Sequence, residues 1–208
     1  MTPPIPRGWY SRGYLPHFDG TETTQFITFR LADSLPRHVI EHWQQELQQQ
    51  NLPDAERQLL LQKRIEHHLD QGTGACYLRE QQIAEMIERA LYFFDGERYR
   101  LLAWVLMPNH VHLLLTPFAT HSLTEIMRSL KSYTAHRANK LLNRTGKFWF
   151  EDYFDRYIRD GRHYRAVVRY IEHNPVKAGL YCTPEEWRYG SAWWHKRNGE
   201  STLVSNAE

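Results

Sequence analysis

Apolar and polar positions change period several times along the 208 residues, and each change predicts an element. In "TTQFITFRL" (residues 23–31), Phe26, Thr28 and Arg30 alternate with Ile27, Phe29 and Leu31, the period-two signature of a strand. "DSLPRHVIEHWQQELQQQ" follows. Ser34 is its N-cap candidate ahead of Pro36, and Val39, Ile40, Trp43 and Leu47 keep helical spacing. Residues 52–70 repeat the helical pattern, two glycines in "QGTGACY" break it, and "REQQIAEMIERALYFF" resumes it.

The second half of the chain reads with equal clarity. "RYRLLAWVLMP" and "HVHLLLTP" are strand-like runs separated by the turn chemistry of Pro108 and Asn109. Ser122 and Glu125 then form a capping-box pattern, Leu123, Ile126, Met127, Leu130 and Tyr133 keep helical spacing, and Gly146 lies beyond the end. "KFWFEDYFDRYIR" has strand composition, and "RHYRAVVRYIEHNPVKAGL" is helical until Asn174 and Pro175.

The order β, α, β, β, α, β and a last helix predicts an α+β fold: a ferredoxin-like split βαβ antiparallel sheet, with helices on one face and an extra C-terminal helix. The other sheet face is expected to be free for a site. One domain spans residues 1–208, with a helical insertion at 48–81 and a flexible tail at 195–208.

Composition narrows the class. Hydrophobic residues make up 41% and charged residues 24%, ordinary for a soluble domain, and no apolar run is long enough for a membrane span. The opening "MTPPIPRGWYSRGY" lacks the apolar stretch of a secretory signal, so a cytoplasmic location is expected. Cys76 and Cys182 lie outside any CxxC spacing and are expected to be packed thiols. The net charge of +2 conceals a division. Residues 128–169 hold eleven Lys and Arg against four Asp and Glu, whereas residues 41–95 hold five against ten. A basic C-terminal half points to a polyanionic partner.

Within "LMPNHVHLLL", His110 and His112 are two residues apart on a strand, so both project from one face. That geometry suits two ligands of one metal ion. It suits equally a pair satisfied by backbone or carboxylate partners.

Four segments in order, "MPNHVHLLL", "IMRSLKSYTAHRANK", "GKFWFEDYFDRYIRD" and "RYIEHNPVKAGL", together resemble the REP-associated tyrosine transposases, relatives of the IS200/IS605 transposases, over residues 24–194. The resemblance implies an HUH endonuclease with Val111 as the middle residue. Such an enzyme nicks single-stranded, hairpin-forming repeat DNA, forming a 5′-phosphotyrosine and releasing a 3′-hydroxyl, and it can rejoin the strand. The resemblance selects Tyr170 among twelve tyrosines as the nucleophile, with Tyr133 as runner-up. It places a third metal ligand, beside His110 and His112, at Asn174. A helical i, i+4 spacing lets Tyr170 and Asn174 share a face. It also implies Mg2+ or Mn2+, although imidazole softness alone suits zinc or manganese.

The same reading assigns DNA contacts to Arg128, Lys131, Arg137, Lys140, Arg156, Arg159 and Arg162, interleaved with Phe148, Trp149, Tyr153, Phe154 and Tyr157 as stacking surfaces. A monomer is expected, with a dimer as the alternative. His163 and His173 are candidates for the base that activates the tyrosine. Two rivals stay open: a metal hydrolase that uses water at the HxH pair, and a nucleic-acid-binding module without catalysis.

Overall fold

The computed structural model describes residues 8–11, 16–20 and 22–199. Its centre is a four-stranded antiparallel sheet in which β3 (Gln25–Arg30) and β5 (His110–Pro117) are the inner strands. The strands β4 (Tyr99–Leu106) and β6 (Phe154–Tyr157) complete the order β4-β5-β3-β6, the predicted ferredoxin-like arrangement. A two-stranded hairpin, β1 (Gly8–Ser11) with β2 (Pro16–Asp19), precedes it, where no alternating pattern predicts a strand. In "KFWFEDYFDRYIR", Trp149 makes an isolated antiparallel bridge to Leu31 and the continuous strand begins only at Phe154, so the predicted strand is interrupted and shorter than its composition suggested.

Period-two alternation decides the two faces. Ile27, Phe29 and Leu31 of the β3 run join Val111, Leu113 and Leu115 of β5 and Trp104 and Leu106 of β4 in the main core. That core is closed by α3 (Gln81–Phe93) and α4 (Leu123–Leu141), whose Ile83, Ile87, Leu91, Ile126, Met127 and Leu130 are buried. The capping box of Ser122 and Glu125 starts α4 as predicted, each partner satisfying a backbone N–H that would otherwise be left at the helix start.

On the opposite face, Phe26, Ala103, Val105, Met107 and Leu114 pack against Val168 and Ile171 of α5 (Gly161–Glu172). Asp160 caps α5, its carboxylate accepting from the His163 N–H at 2.7 Å. Pro175 ends α5 as expected, but the chain turns once more as α6 (Asn174–Lys177). The short α7 (Ser191–Asn198) follows, so residues 195–198 of the expected tail are helical, and residues 200–208 lie outside the described residues.

The second face is not free. The helices α1 (Arg37–Gln48) and α2 (Asp54–Asp70) form a hairpin with its own core of Ile40, Leu47, Leu61, Ile65 and Leu69. A cavity of about 50 Å³ separates this hairpin from Thr28 and Arg30, which point to the same sheet face as their register partners His112 and His110. Ser34 does not cap α1. Its hydroxyl donates to the Leu31 carbonyl at 2.8 Å, and Pro36 holds the N-cap position. The buried Arg30 guanidinium explains the exchange, since it reaches over Ser34 to donate to the Leu35 carbonyl at 2.8 Å. Cys76 is buried as expected, whereas Cys182 is exposed. No helix among the described residues is long and apolar enough to cross a membrane.

Candidate active site

The imidazoles of His110 and His112 are fully buried side by side on β5, with their Nε2 atoms 3.1 Å apart. Each ring is held by its other nitrogen. His110 Nδ1 lies 2.7 Å from the Asn109 side-chain oxygen, and His112 Nδ1 lies 2.7 Å from Thr28 Oγ1. With an Nδ1–H donated in each case, both Nε2 atoms carry lone pairs, and two lone pairs aimed at one point repel unless a cation lies between them. The 3.1 Å span is close to that of two nitrogens each roughly 2.1 Å from one ion.

Burial pushes the His110 imidazole down to about 3, helped by the nearby Lys177 charge. Burial, then His110 and Lys177, pushes His112 down as well. Both rings are therefore neutral at pH 7, the protonation state that binds a metal. The support extends one layer further, because Asn109 is itself fully buried and donates from its side-chain amide to the Thr73 carbonyl at 2.9 Å. Thr73 sits in the glycine break between α2 and α3. Gly74 there has φ +87, and a Cβ would meet the Asp33 carbonyl oxygen at 2.9 Å, so glycine is required for this close approach.

Tyr170 comes to the pair from α5. Its ring lies 5.3 Å from that of His112 and 5.7 Å from that of Phe26, both edge-on. Among the described residues the hydroxyl is buried without a regular hydrogen bond, beside the Asn174 amide and the Glu66 carboxylate. Burial, with the charges of Glu66 and Asp70, pushes the phenol well above its ordinary value. Asn174 is fully buried, and among the described residues neither its side-chain oxygen nor its nitrogen has a hydrogen-bond partner. An orphaned amide beside the tyrosine fits an oxygen ligand whose partner would be an ion. Among the described residues, no third His, Cys, Asp or Glu joins the histidines in a ligand cluster.

The other candidates are spread more widely. Tyr133 lies 54% exposed on α4, behind the opposite sheet face. Arg128, Arg137 and Lys140 are exposed on that same helix. The Lys131 ammonium donates to the backbone carbonyls of Glu151 and Asp152 at 2.8 and 3.3 Å, which ties α4 to the β6 approach. Arg156 shares the sheet face of its register partner Phe26, and Arg159 and Arg162 are exposed where β6 leads into α5. The basic residues are thus divided between two sides of the sheet. Phe148, Trp149 and Tyr153 are buried in the core and offer no stacking surface, whereas Phe154 and Tyr157 are half-buried.

His163 and His173 are engaged with backbone. His163 Nδ1 accepts from the Arg159 N–H at 3.3 Å, and His173 Nδ1 lies 3.1 Å from the Arg169 carbonyl. Two groups near Tyr170 had no signal of their own in the sequence. Lys177 stands with its ammonium 5.5 Å from the Tyr170 ring and 2.8 Å from Asp70, and Glu66 arrives from α2.

The histidine pair and the helix-borne Tyr170 thus meet on one face of the sheet. Residues 77–174, which hold both histidines, Tyr170 and Asn174, match the family model described as transposase IS200 like. More narrowly, the chain is similar to the REP-associated tyrosine transposase of Escherichia coli (strain K12), at 28% identity over 109 residues, 51% of this chain and 63% of that relative. The match therefore spans a little under two thirds of the relative's length. A solved REP-associated tyrosine transposase bound to a REP hairpin shares the fold, with a TM-score of 0.57 and 18% identity, covering 96% of this chain and 91% of that one. The resemblance carried by the four sequence motifs is confirmed.

Proposed function

We propose that the protein is a metal-dependent endonuclease and transposase of the HUH type, which nicks and rejoins single-stranded, hairpin-forming repeat DNA through a covalent link to Tyr170. The observation that carries the reading is the meeting of His110 and His112 Nε2 with the Tyr170 ring on one sheet face. The relative solved on a REP hairpin supports hairpin DNA as the substrate class.

His110, His112 and Asn174 would hold the divalent ion, Mg2+ or Mn2+. When bound, it would withdraw charge from the scissile phosphate. The chain's own residues do the rest. Asn109 and Thr28 fix the imidazole orientations. Val168 and Ile171 anchor α5 to the sheet, so the Tyr170 hydroxyl is held in place before substrate arrives. Tyr170 Oη attacks phosphorus, the bond to the 3′ oxygen breaks, and the 5′ side stays on the tyrosine. Arg162, Arg165 and Arg169 line the solvent side of α5, with Arg156 and Arg159 at its approach, and these cations would hold the DNA backbone.

The test is incubation of end-labelled single-stranded hairpin DNA with protein and Mn2+, followed by denaturing electrophoresis. A labelled band at protein mass supports the reading. Cleaved DNA without any adduct would favour a water-using metal hydrolase.

A further inference from the structure

The α1–α2 hairpin reads in the sequence as decoration, yet one stripe of α2 lies against the nucleophile. Gln62, Glu66 and Asp70 recur every four residues and so share a helical face, next to the stripe of Leu61, Ile65 and Leu69 that is buried against α1. Asp70 pairs with Lys177 of α6 at 2.8 Å, and the Lys177 ammonium lies 5.5 Å from the Tyr170 ring. One turn earlier, the Glu66 carboxyl lies beside the buried Tyr170 hydroxyl, which makes no regular hydrogen bond among the described residues, and Gln62 donates to Glu66 Oε1 at 3.0 Å. The Glu66 carboxylate is thus held by Gln62 along its own helix, while the Asp70 to Lys177 bridge ties α2 across to α6.

Resting on the assignment of Tyr170 as nucleophile, we propose that Glu66 is a catalytic residue, the acceptor of the Tyr170 hydroxyl proton during attack. The Oη–H bond breaks and its proton passes to the Glu66 carboxylate. The Oη–P bond forms, the P–O3′ bond breaks, and the 3′ oxygen leaves with the electron pair and takes a proton from water. In rejoining, a 3′-hydroxyl attacks the phosphotyrosine and gives its proton to water, the O–P bond to Tyr170 breaks, and Glu66 returns the proton to Oη.

Three observations favour this role. A phenol at its ordinary value of about 10 is un-ionised at neutral pH and needs a base. His163 and His173, the two candidates the sequence offers, are engaged with backbone. Burial pushes the Glu66 carboxyl up from its ordinary value, which makes it a better proton acceptor.

The experiment is single-turnover adduct formation on labelled hairpin DNA with Mn2+, across pH, for the wild type, Glu66→Gln, Glu66→Asp and Tyr170→Phe. Glu66→Gln keeps size and polarity but removes the base, and its rate should fall by roughly 10²- to 10⁴-fold with DNA affinity and melting temperature unchanged. The wild-type rate should show an acid limb that Glu66→Gln lacks and Glu66→Asp, at reduced rate, retains. A wild-type rate and intact acid limb in Glu66→Gln overturn the proposal. So do equal rate losses in the Gln and Asp variants that track equal losses of melting temperature, which mark a structural role. If Tyr170→Phe abolishes the adduct while Glu66→Gln does not change it, only the Glu66 assignment falls. An adduct from Tyr170→Phe removes the nucleophile reading itself.

Discussion

His112 Nδ1 lies 2.7 Å from Thr28 Oγ1, and the two residues are direct register partners across β5 and β3. The contact joins the strands' pairing to the orientation of the His112 ring, because a one-residue slip would turn Thr28 to the other face. Thr28→Val keeps the branched shape and removes the hydroxyl. Mn2+ affinity, measured by calorimetry, should drop roughly 10- to 100-fold, the usual effect of losing a hydrogen-bond partner behind a ligating histidine. Asn109→Ala should act similarly through His110. Unchanged affinity in both would separate the histidine pair from metal binding.

The helix that carries Tyr170 is held by packing. Ile171 is fully buried between α5 and the sheet, and Ile171→Ala should cost about 2–5 kcal/mol of stability. Chemical denaturation gives the cost directly. In the surviving folded fraction, adduct formation should also slow, because a looser α5 no longer holds Tyr170 over the histidines.

Charge on the α5 surface should govern affinity without changing the chemistry. Neutralising Arg162, Arg165 or Arg169 should weaken hairpin binding, and each neutralised arginine that meets a phosphate should reduce the slope of log affinity against log salt by about 1. Fluorescence anisotropy at several salt concentrations measures both. Neutralising Arg128, which is exposed on α4 behind the other sheet face, should leave the slope unchanged.

His17 predicts a pH dependence of stability. Its Nε2 lies 3.0 Å from Asp152, and its Nδ1 contacts Asp155, which also accepts from the Phe18 N–H at 2.9 Å. Burial alone would push this imidazole down, but hydrogen bonds and charge from the two aspartates outweigh it and raise it to about 9. A raised folded value means that the contribution is fully present below about 6.5 and disappears as pH rises through about 9. Thermal melts of the wild type should therefore lose stability between these values, and His17→Asn should flatten that loss.

The sheet and the histidine pair were legible because both depend on period two. "FITFRL" and "HVHLLL" each place alternate residues on opposite faces, and the observed register preserves that division. The capping box at Ser122 was legible for a similarly local reason. Ser34 misled because its pattern before Pro36 is right for a cap, while the buried Arg30 draws its side chain elsewhere. Glu66 was hidden by its own helix. In an acidic, Gln-rich amphipathic segment nothing local distinguishes a carboxylate that meets solvent from one that meets α5, since the difference comes from the docking of α2. The aromatic run at residues 148–154 was ambiguous in the same way, and tertiary packing places Phe148, Trp149 and Tyr153 inside.

The central claim is that Tyr170 becomes covalently joined to DNA, and Tyr170→Phe tests it most directly. The substitution keeps the ring against His112 and Phe26 and removes only the hydroxyl, so folding and hairpin binding should persist. On a denaturing gel of labelled hairpin with Mn2+, the wild type should give a protein–DNA band, Tyr133→Phe should give nearly the same band, and Tyr170→Phe should give none. A band of normal intensity from Tyr170→Phe would contradict the account and transfer the search for the nucleophile to another tyrosine.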